Sequence, residues 1–479
     1  MHRAPHPMLS RWRRLAARAR ELDAAPEGSP EARLVAVLVG AWGAARLLAV
    51  APVSPVVAAA MFVTAVRATT WTQGLIERFP ATVDTLLRGG GAHQPDLPDR
   101  ALRVTRRPAG GRYVITSDLH RCMAGGLDWP RAQQTDRLLE AALEHYAADG
   151  WTLVENGDVE DFWLTGGSAY GVVYDLGRLL ANLLPTGARD EVLPELYGDH
   201  LDQIVDNNSR VYRTIAEAFG VGRHVRLVGN HDDPFLDERV VARLRTHLPG
   251  VEVWDVLVLD GAAGAAGVVL HGHQTDAWNL PGRDFLGKFC TWLAAALVDA
   301  PLVRATPGMP DLEQAAKLRD GHLPARLTSV GRFIGVTLDF YSLDEVRLLD
   351  SWRRWFGGGP GPGTADGPLL VLGHTHVPLI DPLLPQVDPS GPAASWEHYA
   401  NSGCGVLWEA VTCIEWDGTT DPDHPTLRLV VWRFGDADGD PELSAGPPAT
   451  VCDGRPVVRE ELVRPQGSST LQVLHEVRS

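Results

Sequence analysis

Two histidines flank a single threonine in the stretch VLGHTHV, where His374 and His376 follow a run of apolar residues. Four other apolar runs also end in polar clusters. These clusters contain Asp118 and His120; Asp158 with Asp161 behind it; Asn230, His231 and Asp232; and His271 and His273. Imidazoles, carboxylates and an amide oxygen suit Mn, Fe, Zn, Co or Ni, whereas calcium prefers oxygen ligands and structural zinc prefers thiolates. The residue types therefore point to transition-metal chemistry.

Short apolar runs rich in β-branched residues precede the clusters and predict the elements that position them. They read RYVIT, WTLVE, HVRLV, GVVL and PLLVL, and we expect each to form a buried strand. Amphipathic stretches between them predict helices, one over residues 135–149 and another that starts at Pro234. This alternation predicts an α/β fold, in which ligands bind at the carboxyl ends of strands. The five clusters are thus expected to share one crevice.

Each candidate ligand alone has a plainer interpretation. His271 could be a buried histidine with satisfied hydrogen bonds, Asp118 a helix cap and Asn230 a turn residue. The joint pattern is what favours metal binding. It offers more ligands than one ion needs, and two ions that share one carboxylate would use them all.

The ordered motifs D-x-H, G-D-x-x-D, G-N-H-D, H-G-H and G-H-T-H resemble the calcineurin-like metallophosphoesterase superfamily over about residues 110–410. The resemblance implies a four-layer sandwich of two mixed β-sheets flanked by helices. It also implies two divalent transition-metal ions, with Mn expected first and Fe, Zn, Co or Ni as alternatives. One ion would be held by Asp118, His120 and His376, the other by Asn230, His271 and His374, and Asp158 would bridge the two.

The resemblance also implies roles in catalysis. Two cations would activate a bridging water, held through Asp158, and clamp the phosphoryl oxygens. His231 would face the substrate and assist the leaving group rather than bind metal. Arg121 is a candidate to hold a phosphate, with a surface arginine as the equal alternative. His273, where relatives often carry Asp, would contact the substrate or a metal, or simply pack.

Within the superfamily, the motifs SDLH, GDVEDFW and GHTHVP resemble the UDP-diacylglucosamine diphosphatase branch, which hydrolyses a pyrophosphate bond in a lipid-linked sugar nucleotide. The first 100 residues have no counterpart in that branch. We therefore expect a hydrolase of a phosphoester or pyrophosphate bond in a phosphorylated small-molecule, nucleotide or lipid-linked substrate. A general phosphodiesterase, a protein phosphatase, a nuclease and a catalytically silent membrane scaffold stay open as alternatives.

Charge and cysteine content bear on partners and compartment. The 44 Lys and Arg against 60 Asp and Glu give a net charge of −16, which repels polyanions, so nucleic acid is not expected as a partner. The five cysteines are odd in number and form no C-x-x-C motif, so neither a disulfide framework nor a zinc ribbon is indicated. A reducing, cytoplasmic location fits best.

Composition divides the chain into three parts. Residues 1–100 form an Arg-rich start and an apolar helical region, in which Arg46 is the only charge between residues 34 and 66. That segment predicts either a pair of helices packed on the catalytic domain or a membrane anchor. The resemblance makes residues 101–435 the expected metallophosphoesterase domain, with a helical lid insertion at 275–367. Residues 436–479 are rich in Pro, Gly and Asp and predict a partly ordered tail with one strand at PVVREELV.

Overall fold

The computed structural model describes residues 6–26, 28–50, 102–123, 135–165, 168–273, 367–374, 376, 378–380, 399–406, 410–434, 450–452, 455–463 and 472–473. The expected lid insertion at 275–367 lies outside these residues except for its last position. Residues 51–66 of the apolar N-terminal segment also lie outside them.

The described strands belong to two sheets. In chain order they are β1 (Val104–Pro108), β2 (Arg112–Thr116), β3 (Thr152–Asn156), β4 (His224–Leu227), β5 (Glu252–Trp254), β6 (Val256–Asp260), β7 (Ala265–Leu270), β8 (Leu369–Leu372), β9 (Pro378–Ile380), β10 (Tyr399–Ser402), β11 (Ala410–Asp417), β12 (Thr426–Phe434), β13 (Thr450–Cys452), β14 (Arg455–Val463) and β15 (Gln472–Val473). The six-stranded sheet has the order β1-β6-β7-β8-β10-β9. The nine-stranded sheet has the order β13-β14-β12-β11-β2-β3-β4-β5, with β15 paired to β14.

Both sheets are mixed, and each contains a parallel portion. Strands β2 to β5 pair in parallel, whereas β11, β12 and β14 are antiparallel neighbours. In the other sheet β7 pairs in parallel with β8 and antiparallel with β6. The carboxyl ends of the parallel strands are where the sequence places its polar clusters.

The described helices are α1 (Pro7–Asp23), α2 (Pro30–Val50), α3 (Thr135–Ala148), α4 (Ala169–Asn182), α5 (Thr186–Asn207), α6 (Ser209–Ala218) and α7 (Glu238–His247), with a short 3-10 helix at Asp233–Leu236.

Alternation along the strands builds two cores. Ile115 and Val154 join a buried cluster with Val269 from the other sheet, so the two sheets pack face to face. Their neighbours Val114 and Leu153 point the opposite way into a cluster that contains residues of α3, α6 and α7. The expected α/β architecture of two mixed sheets flanked by helices is confirmed. The complete four-layer arrangement stays an expectation.

Helices α1, α2, α4 and α5 form a separate helical unit with its own apolar core. The indole of Trp12 on α1 donates to the carbonyl of Val173 on α4 at 3.3 Å. The carboxylate of Asp23 accepts from the backbone N–H groups of Ala169 and Tyr170, which begin α4. No helix in the described ranges is long and apolar enough to cross a bilayer.

The expected strands are confirmed as β2, β3, β4, β7 and β8, and the helix predicted over 135–149 is α3. The helix predicted to start at Pro234 is wrong in its start. The 3-10 turn contains Pro234, and α7 begins only after Asp237, whose side chain accepts from the Arg239 N–H at 2.9 Å.

The predicted tail strand forms as β14, but it is an interior strand between β12 and β13. This part of residues 436–479 therefore belongs to the nine-stranded sheet.

Candidate metal centre

The expected ligands meet where strands from both sheets end. Asp118, Asp158 and Asn230 follow β2, β3 and β4, whereas His271 and His374 follow β7 and β8. Three overlapping groups place their ligand atoms within 4.8 Å of one another. The groups are Asp118, His120 and His376; His120, Asp158 and His231; and Asp158, His271 and His374.

The first group contains the three residues that the family resemblance assigns to one ion. His376 Nε2 lies 3.2 Å from Asp118 Oδ1. His120 Nε2 lies 3.2 Å from His376 Nε2. His120 Nδ1 faces Asp161 Oδ2 at 2.9 Å, so in the neutral tautomer that donates there, the lone pair of Nε2 points toward the other two ligands. This is the orientation that a metal-binding histidine needs.

The third group, Asp158, His271 and His374, is joined by Asn230 and contains a convergence of acceptors. His271 Nδ1 faces the backbone carbonyl of Asn156 at 2.8 Å and therefore carries the proton in the neutral ring. Its Nε2 lies 3.3 Å from Asp158 Oδ2 and 3.2 Å from Asn230 Oδ1. A lone pair that faces two oxygens is unfavourable unless a positive charge lies between them. The donor set of the centre thus fits a cation of the transition-metal kind.

The pKa shifts reflect the same need for positive charge. Burial would lower the pKa of His271, but the carboxylates of Asp158 and Asp118 outweigh it and raise the pKa to about 9. Burial would raise the pKa of Asp118, yet His376 and His271 lower it to about 2. The carboxylates are held ionised, and a proton on His271 takes the place of a cation.

Five of the candidate ligands have left-handed backbone conformations. They are Asp118 (φ 52), His120 (φ 44), Asp158 (φ 51), His374 (φ 69) and His376 (φ 61). No other non-glycine residue in the described ranges has a positive φ. Left-handed backbone is unfavourable for residues that carry a Cβ, and such strain concentrates at functional sites.

A glycine admits the close approach of two ligands. A Cβ on Gly229 would lie 2.2 Å from Asp158 Oδ1, so the turn that carries Asn230 can approach Asp158 only with glycine there.

His231 lies beside the metal ligands but is held by other groups. Its Nδ1 lies 2.9 Å from Asp161 Oδ2, and its ring stacks on the Trp163 indole with centroids 4.1 Å apart. Burial would lower the pKa of His231, but Asp161 and Asp158 raise it overall. The side chain retains 14% exposure, while Asp161 has none. The ring is thus held between Asp161 and Trp163, with part of its edge exposed beside the candidate ligands.

Asp161 and Trp163 are the residues whose roles the sequence did not reveal. One oxygen of Asp161 contacts both His120 and His231, and the other accepts from the backbone N–H groups of Trp163 and Leu164. The G-D-x-x-D spacing marked Asp161 but did not show that it orients two imidazoles.

Arg121 is not placed to hold a phosphate, and it is not a surface arginine either. Its side chain is 2% exposed and pairs with Glu155 at 2.8 Å. Glu155 also binds Arg226, and Arg226 reaches Glu160, so the arginine belongs to a buried ion-pair network. The substrate-binding expectation for Arg121 is wrong because charges from neighbouring strands hold its guanidinium beneath the site.

His273 lies next to the third group. Its ring centroid is 5.4 Å from that of His271 and 6.4 Å from that of His374. It is 4% exposed, and its Nδ1 has no hydrogen-bond partner among the described residues. Burial and the two neighbouring histidines lower its pKa well below 6.5. His273 is thus a neutral imidazole at the edge of the site, and its contact with substrate or metal stays a prediction.

The sequence matches no model of a known protein family and no curated protein. The function of the chain is therefore inferred from its own residues and from the geometry in which the fold holds them.

Proposed function

We propose that the chain is a metal-dependent hydrolase that cleaves a phosphoester or pyrophosphate bond with two divalent ions. The observation that carries the proposal is the position of Asp158, which belongs to one candidate group with His120 and to another with His271 and His374. Asp118, His120 and His376 would hold one ion, and Asn230, His271 and His374 would hold the other. Manganese is our first choice, because both groups mix imidazole nitrogens with hard oxygens.

Bound cations would supply Lewis acidity toward the phosphoryl oxygens and lower the pKa of a water molecule. The protein groups perform the remaining steps. Asp158 fixes the spacing of the two ligand groups. Its Oδ1 also accepts a hydrogen bond from the backbone N–H of His231 at 2.7 Å. The left-handed turns hold the ligand side chains in place before substrate arrives.

His231 supports the assignment to phosphoryl transfer rather than to simple metal storage. Its Nδ1 contacts Asp161, so Nε2 is the atom that can give a proton to the departing oxygen as the P–O bond breaks. Asp161 stabilises the charged ring, and Trp163 fixes its plane. General-acid catalysis of this kind contributes roughly 10²- to 10⁴-fold.

The sequence motifs of the site also bear on the class of substrate. The motifs around Asp118, Asp158 and His374 resemble those of enzymes that act on a lipid-linked pyrophosphate. We therefore place a nucleotide or lipid-linked pyrophosphate first, ahead of a protein phosphate.

The test combines metal analysis with hydrolysis of bis-p-nitrophenyl phosphate. The purified full-length chain should contain close to two transition-metal ions, and EDTA should abolish its activity. His231→Ala should lower turnover and keep the metals. The matched control, His424→Ala, changes an exposed turn histidine and should do neither. A metal-free protein with EDTA-resistant activity, or a His231→Ala variant as active as the parent, would refute the proposal.

A further inference from the structure

Exposed apolar side chains concentrate on the helical unit. Ten large hydrophobic residues are exposed among the described residues. Of these, only Val104 and Val221 lie on the two-sheet body, by which we mean the two sheets with helices α3, α6 and α7. The other eight lie on α1, α2 and α4 or directly after α4: Leu15, Leu34, Val37, Leu38, Leu176, Leu179, Leu180 and Leu183. Single exposed apolar residues are ordinary, but such a concentration marks an interaction surface.

The exposed side chains follow helical spacing. Leu176, Leu179, Leu180 and Leu183 lie three or four residues apart and are 38%, 53%, 53% and 75% exposed. On α2, Leu34, Val37 and Leu38 have the same spacing and are 48%, 66% and 39% exposed. Residues at this spacing share one helix face. α4 therefore presents an apolar face to solvent while its opposite face, with Tyr170, Tyr174 and Ala181, packs in the core, to which α2 contributes the partly buried Val35.

The exposed stripe of α1 adds positive charge. Arg11, Arg14, Leu15 and Arg18 are exposed and repeat the same spacing. Arg13 turns to Glu195 and Asp199 on α5, and Arg18 pairs with Glu21 at 2.5 Å, so Arg11 and Arg14 are the stripe arginines considered below. The whole chain has a net charge of −16, so this basic stripe opposes the overall charge. Apolar side chains beside arginines are the combination that binds an anionic membrane surface.

We propose that α1, α2 and α4 form a docking surface for a membrane that carries anionic lipid headgroups. The leucines of α4 and α2 enter the boundary between headgroups and acyl chains, and Arg11 and Arg14 contact the lipid phosphates. The contact is peripheral, with the helices lying on the surface. It is independent of the proposed hydrolase activity, because none of these residues is a candidate ligand.

Two other occupants fit less well. A nucleic acid would use the arginines but leave the leucines of α4 in water. A second copy of the chain would cover the leucines, but a two-fold interface pairs the same patch from both copies, and the exposed stripe of α1 offers no carboxylate to pair with its arginines.

The experiment measures co-sedimentation of the full-length chain with vesicles of phosphatidylcholine alone and with added phosphatidylglycerol. Leu179→Gln/Leu180→Gln should weaken binding to the anionic vesicles by at least about tenfold. Arg11→Gln/Arg14→Gln should weaken it by about fivefold per arginine and remove the preference for anionic lipid. The matched control, Val221→Gln/Arg213→Gln, changes an exposed valine and an exposed arginine on the two-sheet body and should bind like the parent.

Each variant is also checked by its melting temperature and by its hydrolysis of bis-p-nitrophenyl phosphate, and both should match the parent. Variants that bind as tightly as the parent, or a parent without preference for anionic vesicles, would overturn the proposal. A dimer that becomes monomeric in the leucine variant, with vesicle binding unchanged, would assign the surface to a second copy instead. A parent that binds vesicles but hydrolyses nothing would refute only the proposed activity.

Discussion

The metal centre and the helical unit depart from ordinary soluble structure in opposite directions. At the metal centre, charged and polar groups are buried: Asp118, Asp161 and His271 each have a relative exposure of 0%. On the helical unit, leucines are exposed, and Leu183 reaches 75%. Each arrangement is unfavourable without a partner, because buried charge needs compensation and exposed apolar surface favours association.

The difference shows what kind of partner each region needs. The candidate metal centre suits a small positive charge, because the ligand atoms of each of its three groups lie within 4.8 Å of one another. The helical unit offers an extended apolar face rather than a pocket. The candidate metal centre therefore selects its partner by ligand geometry. The helical unit selects its partner by the area and charge of the contact.

The largest effect on activity is expected for Asp158→Ala. We compare it with the same change at Asp175, a buried aspartate of the helical unit. Asp158→Ala removes the carboxylate that two ligand groups share, so both metals and the activity should be lost. The loss should exceed the roughly 10²- to 10⁴-fold that a single general acid supplies. Asp175→Ala removes the acceptor of the Trp42 indole at 3.2 Å, and should cost about 1–3 kcal/mol of stability with normal activity. Both variants are compared by metal content, turnover and urea unfolding. Equal metal content in the two variants would contradict the bridging role of Asp158.

The next effect concerns the carboxylate behind the metal ligands. Asp161→Asn keeps the shape of the side chain but removes the charge that helps to raise the pKa of His231. Turnover should fall by roughly 10²- to 10⁴-fold. Because a general acid is lost as pH rises through its pKa, a lower pKa should also move the alkaline limb of kcat/KM to lower pH.

The control for this change is Asp202→Asn, which removes the partner of His247 at 2.9 Å outside the metal centre. It should leave the pH profile unchanged. An Asp161→Asn variant whose rate falls while its alkaline limb stays in place would assign Asp161 to metal positioning alone.

A smaller effect comes from His200, a buried histidine of the helical unit. Its ring stacks on Tyr174 with centroids 3.9 Å apart. Burial, helped by Arg178, lowers its pKa from 6.5 to about 3. Between these values the unfolded chain binds more protons than the native one, so stability present above pH 6.5 falls as pH drops. The contribution is about 1.4 kcal/mol per pH unit.

His200→Phe should flatten the pH dependence of the unfolding free energy, measured in urea between about pH 7 and pH 5. An unchanged slope would mean that the native protein accommodates the charged ring. The absolute stability of the variant does not enter the comparison.

The smallest effect is expected on the exposed apolar face. Leu179→Gln should change the free energy of unfolding by less than about 0.5 kcal/mol, because the side chain is 53% exposed. Leu138→Ala, in the core beside the nine-stranded sheet, should cost about 2–5 kcal/mol. Urea denaturation measures both. A cost above 2 kcal/mol for Leu179→Gln would show that another part of the chain covers this face, which would exclude membrane docking there.

The sequence predicted the strands and the meeting of their polar ends, because strand alternation and residue type are local properties. It could not predict the burial of Arg121, which depends on Glu155 and Arg226 from neighbouring strands. The periodicity of Leu176, Leu179 and Leu180 indicates an apolar helix face, but only the packing of α1 on the rest of α4 shows that this face is left in solvent.

On the proposed function, the left-handed turns of the candidate ligands would connect metal supply to the lifetime of the chain. Five such residues together cost on the order of 5 kcal/mol, a large part of the roughly 5–15 kcal/mol that keeps a domain folded. Ions bound at these turns would offset that cost, and ligands that bind only the native state stabilise it. In cells short of the metal, we expect more of the chain to unfold and to be degraded by proteases. The amount of protein, and not only its turnover rate, should then follow the metal supply.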